Sequence, residues 1–131
     1  YASDARVKNE VAEDVRGLDF IKLLRPVTYH LDISAMSSIT GNKETEDYPG
    51  KYDIEKIKQS GFIAQEVEQA AVASGYSFSG VTIPANEHEL YTVSYAQFVV
   101  PLVKAVQEQQ VMIDDLKKIN ANLLTRIEAL E

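Results

Sequence analysis

Ser3 and Lys8, in the opening stretch YASDARVKNEV, have side chains that could together break a peptide bond. A serine hydroxyl is a weak nucleophile until a base takes its proton. A lysine amine can be that base when neutral, and burial or nearby positive charge favours the neutral form. Five residues of extended chain span up to about 17 Å at roughly 3.3 Å each. Chemistry between the pair therefore requires the 3–8 segment to turn, or Lys8 to arrive from a neighbouring subunit. Either arrangement makes the reaction wait for folding, and the second makes it wait for assembly. Arg6 could lend positive charge near Lys8, whereas Asp4 beside it would favour the ammonium. Without such chemistry, Ser3 is a solvated terminal residue or a helix N-cap.

Other reactive groups are sparse. His30 falls on the polar side of an alternating stretch and reads as a surface histidine. His88 lies between Glu87 and Glu89, but no H-x-x-H or H-E-x-x-H spacing is present, so no metal site and no cofactor are expected. Cysteine is absent, which removes disulfides and thiolate chemistry. The net charge of −7 argues against nucleic acid and anionic membranes as partners. No apolar run approaches the roughly 20 residues of a membrane span, and no signal peptide is visible. A start at Tyr1 rather than methionine suggests a piece of a longer polypeptide.

The elements that must position these groups fall into two parts, a head over 1–93 and a terminal helix over 94–131. In LDFIKLL, Leu18, Ile21 and Leu24 keep helical spacing, and Pro26 stops the run. PVTYHLD then alternates: Val27, Tyr29 and Leu31 on one side, Thr28, His30 and Asp32 on the other, as in a half-buried strand. Residues 33–59 are polar and punctuated by Gly and Pro, which predicts a surface excursion such as a hairpin arm or loop. Gly61–Ala64 suits a short strand. From Gln65 onward Val67, Ala70 and Ala71 form one helical face that Gly75 ends. Gln65 or Glu66 would cap that helix or reach a neighbour. Residues 78–95 read as turns with one or two short strands, Leu90 and Thr92 alternating with Tyr91 and Val93. Ser94 and Gln97 have capping-box spacing, and Pro101 predicts a bend or restart in the helix that follows.

Beyond Pro101 a heptad is plain. One seam position carries Val106, Ile113, Asn120 and Ile127; the other carries Leu102, Gln109, Leu116, Leu123 and Leu130. Ala105, Met112 and Ile119 at g and Leu124 at e widen the stripe. The acids of this helix fall at outer, solvated positions. The preceding 93 residues could cover the first part of the seam. The last three heptads are expected to pair with copies of themselves, the competing reading being a helix folded back onto its own domain. Ile or Val at a with Leu at d leans towards two strands, the wider stripe towards three, and periodicity leaves dimer and trimer open. Gln109 and Asn120 would be polar layers that cost stability and limit slippage.

Four ordered stretches, SDARVK (3–8), LDFIKLLRPVTYHLD (18–32), GFIAQEVEQ (61–69) and VSYAQFVVPLVKAVQEQQ (93–110), resemble the C-terminal intramolecular chaperone domain of endosialidases and phage tail spikes, the peptidase S74 family. The resemblance implies an α+β fold: a small globular head followed by a long C-terminal helix in a homotrimeric coiled coil. It implies a chaperone that brings three chains into register so that an upstream β-rich stalk can fold. Its partners would be itself and the upstream part of its own polypeptide. It implies autoproteolysis by a serine–lysine dyad, here Ser3 and Lys8, cutting between Ala2 and Ser3. The setting would be a virion tail fibre or spike, or a bacterial cell-surface protein. One departure stands out: the family often has Asn two residues after the lysine, where this chain has Glu10. Two other readings compete with self-cleavage, a permanent trimerisation cap without peptidase activity and a dimeric coiled-coil adaptor.

Overall fold

The computed structural model describes residues 1–41 and 47–131. Its elements run α1 (Leu18–Ile21), β1 (Val27–Tyr29), α2 (Ile33–Thr40), β2 (Gln59–Gly61), α3 (Ala64–Ser74), β3 (Val81–Thr82), β4 (Thr92–Val93) and α4 (Val99–Glu128), with short 3₁₀ turns at Ala5–Val7, Asp53–Lys56 and Tyr95–Phe98. Two small antiparallel ribbons, β1–β2 and β3–β4, and a helix of 30 residues make the chain α+β.

The head forms around an aromatic cluster. Phe20, completely buried, packs its ring 4.9 Å from Phe78 and 5.2 Å from Tyr76. Phe98 closes the other side, 4.8 Å from Phe78 and 5.0 Å from Phe62. Val67, Ala70 and Ala71 of α3 floor the cluster, the face that their spacing predicts. Gly75 ends α3 at φ 67°, where a left-handed residue lets the last turn close. The face expected of α1 is only half-buried at Leu18, Ile21 and Leu24; the chain turns after Ile21, and Phe20 takes the core instead. The alternation over 27–32 holds, with Val27, Tyr29 and Leu31 half-buried and their neighbours exposed.

β1 pairs with β2 in the register Val27↔Gly61, Thr28↔Ser60 and Tyr29↔Gln59. The strand expected at 61–64 therefore sits earlier, and Ala64 already opens α3. Gly61 explains the shift. A Cβ there would fall onto the Tyr95 hydroxyl and lie 3.2 Å from the Tyr29 ring. The hydroxyl instead accepts from Phe62 N at 3.0 Å, which peels the chain away from the ribbon.

The excursion over 33–59 holds a helix that its polar composition concealed. α2 is capped by Asp32, whose Oδ1 accepts from Ala35 N at 2.8 Å, and it ends at Gly41 with φ 68°. Residues 42–46 of that excursion lie outside the described residues. The segment returns through Glu55, whose side chain accepts from Ile33 N at 2.8 Å and whose carbonyl lies 2.7 Å from His30 Nδ1. No described residue of 33–58 is buried.

α4 starts from the Tyr95–Phe98 turn. Ser94 sits at the cap position of that turn but makes no side-chain cap bond, so the expected capping box does not form. Gln97 points elsewhere. Pro101 falls in the first turn of α4, where its missing N–H has no helical partner to lose; the restart lies at the 3₁₀-to-α junction and α4 runs on unbroken. Pro101 and Ala105 are buried under the head. Ala105 thus faces the head, not the seam.

Gly17 allows that docking. A Cβ at Gly17 would lie 2.9 Å from Ala105 N and on top of Glu108 Oε1. Glu108 accepts from Leu18 N at 3.1 Å, capping α1 from 90 residues away, and is half-buried rather than solvated as its heptad position suggests. Gly17→Ala is expected to destabilise the chain by about 1–3 kcal/mol, the usual cost of overpacking. A lower urea midpoint measures it, and an unchanged midpoint would mean that the head tolerates separation from α4.

Candidate functional site

Asp4 organises the first turn. Its Oδ1 accepts from Arg6 N at 2.9 Å, which nucleates the 3₁₀ turn over Ala5–Val7. Arg6 closes the same carboxylate from the side: Nε donates to Oδ1 at 3.0 Å and Nη2 to Oδ2 at 2.7 Å. These bonds hold the Asp4 carboxyl below its ordinary range. Asp4 is thus engaged by Arg6, and Arg6 spends its charge on Asp4 rather than on Lys8.

The turn brings the two candidate residues together within one chain. Lys8 Nζ donates to Ser3 Oγ at 3.4 Å. The contact is longer than a firm hydrogen bond, as reactive pairs often are before their partners are in place. Both side chains are exposed. Two residues on, Glu10 adopts φ 53°, a left-handed backbone that asparagine or glycine enters more readily than glutamate.

Upstream of Ser3 the chain is tied to the Tyr95–Phe98 turn that precedes α4. Gln97 Nε2 donates to the Tyr1 hydroxyl at 3.2 Å, and Ser79 Oγ donates to Gln97 Oε1 at 3.3 Å. Residues 12–15 then run beside α4, leaving an open groove of about 390 Å³ between Ala12, Val15, Val100 and Val103.

The quoted motifs meet in space. Arg25 of RPV reaches Glu66 of AQEV in a two-pronged ion pair, at 2.6 and 3.1 Å. Glu66 therefore pairs within its own chain, and no side chain caps α3. The hydrogen bonds from Arg25 lower the Glu66 carboxyl below its ordinary value. A carboxyl lowered on folding stabilises the fold above its unfolded pKa and loses that contribution as pH falls through the folded one. Arg25→Met is accordingly expected to weaken the fall in urea midpoint between about pH 5 and pH 3; identical pH profiles would remove the pair from the account. Residue spacing could not pair Arg25 with Glu66, or Gln97 with Tyr1, because the fold, not the local sequence, joins them.

The seam residues stand away from the head. From Gln109 to Glu131 every residue is exposed. At about 1.5 Å per residue, the part of α4 beyond Glu108 extends roughly 30 Å. Along it lie Ile113, Leu116, Leu123 and Ile127 of the seam, with Met112, Ile119 and Leu124 beside them, all close to half-exposed or more. Leu102 and Val106 are uncovered as well, and Leu130 is 88% exposed. Gln109 and Asn120 interrupt the stripe. Among the described residues no group of three or more His, Asp or Glu side chains could hold a metal, and no helix is long and apolar enough to cross a membrane.

No curated protein and no solved structure matches the chain. The family model described as chaperone of endosialidase, peptidase S74, matches residues 3–76. That span holds the Ser3–Lys8 turn, the β1–β2 ribbon and all of α3, and covers more than half of the 131 residues. The chain belongs to the chaperone-of-endosialidase family.

Proposed function

We propose that this chain is the C-terminal intramolecular chaperone of a longer fibre or spike protein. It gathers three copies through α4 and then cuts itself from the upstream polypeptide between Ala2 and Ser3. The observation that carries the reading is the uncovered stripe on α4 from Ile113 to Leu130. Most helical stability in proteins comes from packing an apolar face, and nothing in the chain's own fold packs on this one. The wide stripe suits three strands and Ile or Val at a with Leu at d suits two; the family resemblance, which implies a homotrimer, supports three.

For the cut, Ser3 Oγ attacks the carbonyl carbon of Ala2 while a neutral Lys8 amine takes the hydroxyl proton. The bond from that carbon to Ser3 N breaks, and the nitrogen leaves as an amine after gaining a proton. The resulting ester links Ala2 to Ser3 Oγ. Water then hydrolyses it, giving an Ala2 carboxylate and a chain that begins with a free Ser3 amine. The turn that Asp4 and Arg6 hold supplies proximity in one subunit. A sister subunit or the upstream stalk would exclude water from the exposed pair, which favours a neutral amine. Cleavage would then report completed assembly. The setting that fits is the tip of a virion tail fibre or spike, or of a bacterial surface protein.

The 3.4 Å contact, its exposure and the strained Glu10 equally suit a permanent trimerisation cap that never cuts. Mass spectrometry of a chain extended upstream of Tyr1 separates the two: a fragment beginning at Ser3 supports cleavage, and an intact chain after long incubation supports the cap. Sedimentation mass tests the assembly in both cases.

A further inference from the structure

Gln97 ties the stretch before Ser3 to the turn that leads into α4. It is half-buried in the Tyr95–Phe98 turn, which is fixed on one side by Phe98 in the core and on the other by the Tyr95 hydroxyl on Phe62 N. Ser79 donates to its carbonyl oxygen, so the amide NH₂ is the end turned towards Tyr1. Tyr1 is otherwise fully exposed, and among the described residues no other hydrogen bond or ion pair holds it. The bond proposed to break lies between these anchors. Tyr1, on one side of Ala2, is held by Gln97; Ser3, on the other, is met by Lys8.

We propose that Gln97 is a positioning residue for self-cleavage: its amide holds the Tyr1 hydroxyl and so orients the Ala2 carbonyl towards Ser3 Oγ. This rests on the self-cleaving reading above. Two consequences follow from the geometry. The cut becomes sensitive to the side chain two residues before Ser3, favouring one with a hydrogen-bonding hydroxyl at tyrosine's reach. It also becomes conditional on folding through the start of α4, because Tyr1 and Gln97 are 96 residues apart. A nascent chain that has not yet built the Tyr95–Phe98 turn lacks the anchor, and would be cut several-fold more slowly until that turn forms.

The test uses a chain extended upstream of Tyr1, with Tyr1→Phe, Gln97→Met and the two combined. Each single change is expected to slow release of the Ser3-initiated fragment about three- to tenfold, the effect of one uncharged hydrogen bond. The double variant is expected to be no slower than either single one, because both remove the same interaction. Tyr1→Phe should leave the urea midpoint unchanged while shifting the NMR signals of the Gln97 side-chain amide. Unchanged release in the single variants overturns the positioning role, whether or not the Gln97 signals shift, and leaves the Ser3–Lys8 reaction standing. Multiplying losses in the double variant also overturn it. An unsubstituted chain that never releases the fragment overturns the self-cleaving reading, and this inference with it.

Discussion

In a chain extended upstream of Tyr1, Ser3→Ala is expected to leave one intact polypeptide. Lys8→Ala is expected to slow release of the Ser3-initiated fragment by about 10²- to 10⁴-fold, the usual contribution of one positioned proton acceptor. The two effects differ in kind. Ser3→Ala removes the atom that forms the new bond, so nothing remains to be slowed. Lys8→Ala leaves the hydroxyl and the turn, and solvent must take the proton instead. Lys8→Arg divides the possible roles of the lysine. A guanidinium keeps the charge and much of the reach, but it stays protonated in proteins and cannot act as a base. If Lys8 is the base, the arginine variant is as slow as the alanine variant. If Lys8 only contributes charge to a pre-organised turn, arginine restores the rate. Ser3→Cys retains a nucleophile and is expected to keep cutting. All four variants lie in an exposed turn and are expected to keep the assembled mass of the parent chain. Normal cleavage in Lys8→Arg would sink the dyad; loss of assembly in any of them would show that the turn is structural.

Much of this architecture is legible in the sequence where the cause is local. The period-two run over 27–32 and the Val67, Ala70 and Ala71 face follow from side chains alternating across a strand or recurring round a helix, and both are seen. α2 carries local signals as well, Asp32 as N-cap, Gly41 as C-terminal stop and Ile33, Met36 and Ile39 at helical spacing, but the polar, Gly- and Pro-punctuated stretch after Gly41 hides them. What spacing could not supply is contact at long range. Phe20 takes the core because Tyr76, Phe78 and Phe98 converge on it from distant segments. Glu108 sits at an outer heptad position, yet the head approaches there through Gly17 and turns it into a cap. Ser94 and Gln97 have the spacing of a capping box, but the segment is 3₁₀ and Gln97 has Tyr1 and Ser79 as partners. At the candidate site, Ser3 and Lys8 stand out by residue type. Their approach within one chain depends on the Asp4–Arg6 pair, whose closure of the turn residue type and spacing do not announce.

Leu116→Asp is expected to convert the assembly from about three times 14.6 kDa to the single-chain mass at micromolar concentration. Each buried leucine contributes roughly 1.5–3 kcal/mol relative to an exposed one. In a three-stranded seam the substitution removes three of them from one layer. It also places three carboxylates where water is excluded, and an unpaired buried charge costs far more than a missing methyl group. The remaining layers cannot compensate, because Gln109 and Asn120 already weaken two of them. Lys118→Asp, on the outer face of the same turn, is the control and should leave the mass unchanged. Asn120→Ile works in the opposite direction. Replacing a buried polar layer with a hydrocarbon is expected to raise the thermal midpoint while relaxing register, so that staggered or larger assemblies join the main one. A parent chain of twice the single-chain mass would replace the trimer with a dimer. A parent chain that stays monomeric and folded would leave the α4 stripe without the sister helices that justify it. If cleavage waits for assembly, Leu116→Asp must also suppress the Ser3-initiated fragment, although Leu116 lies far along α4 from the turn at Ser3. Monomers that still cut at the parent rate would uncouple the two halves of the proposal and place the reaction wholly within one folded chain.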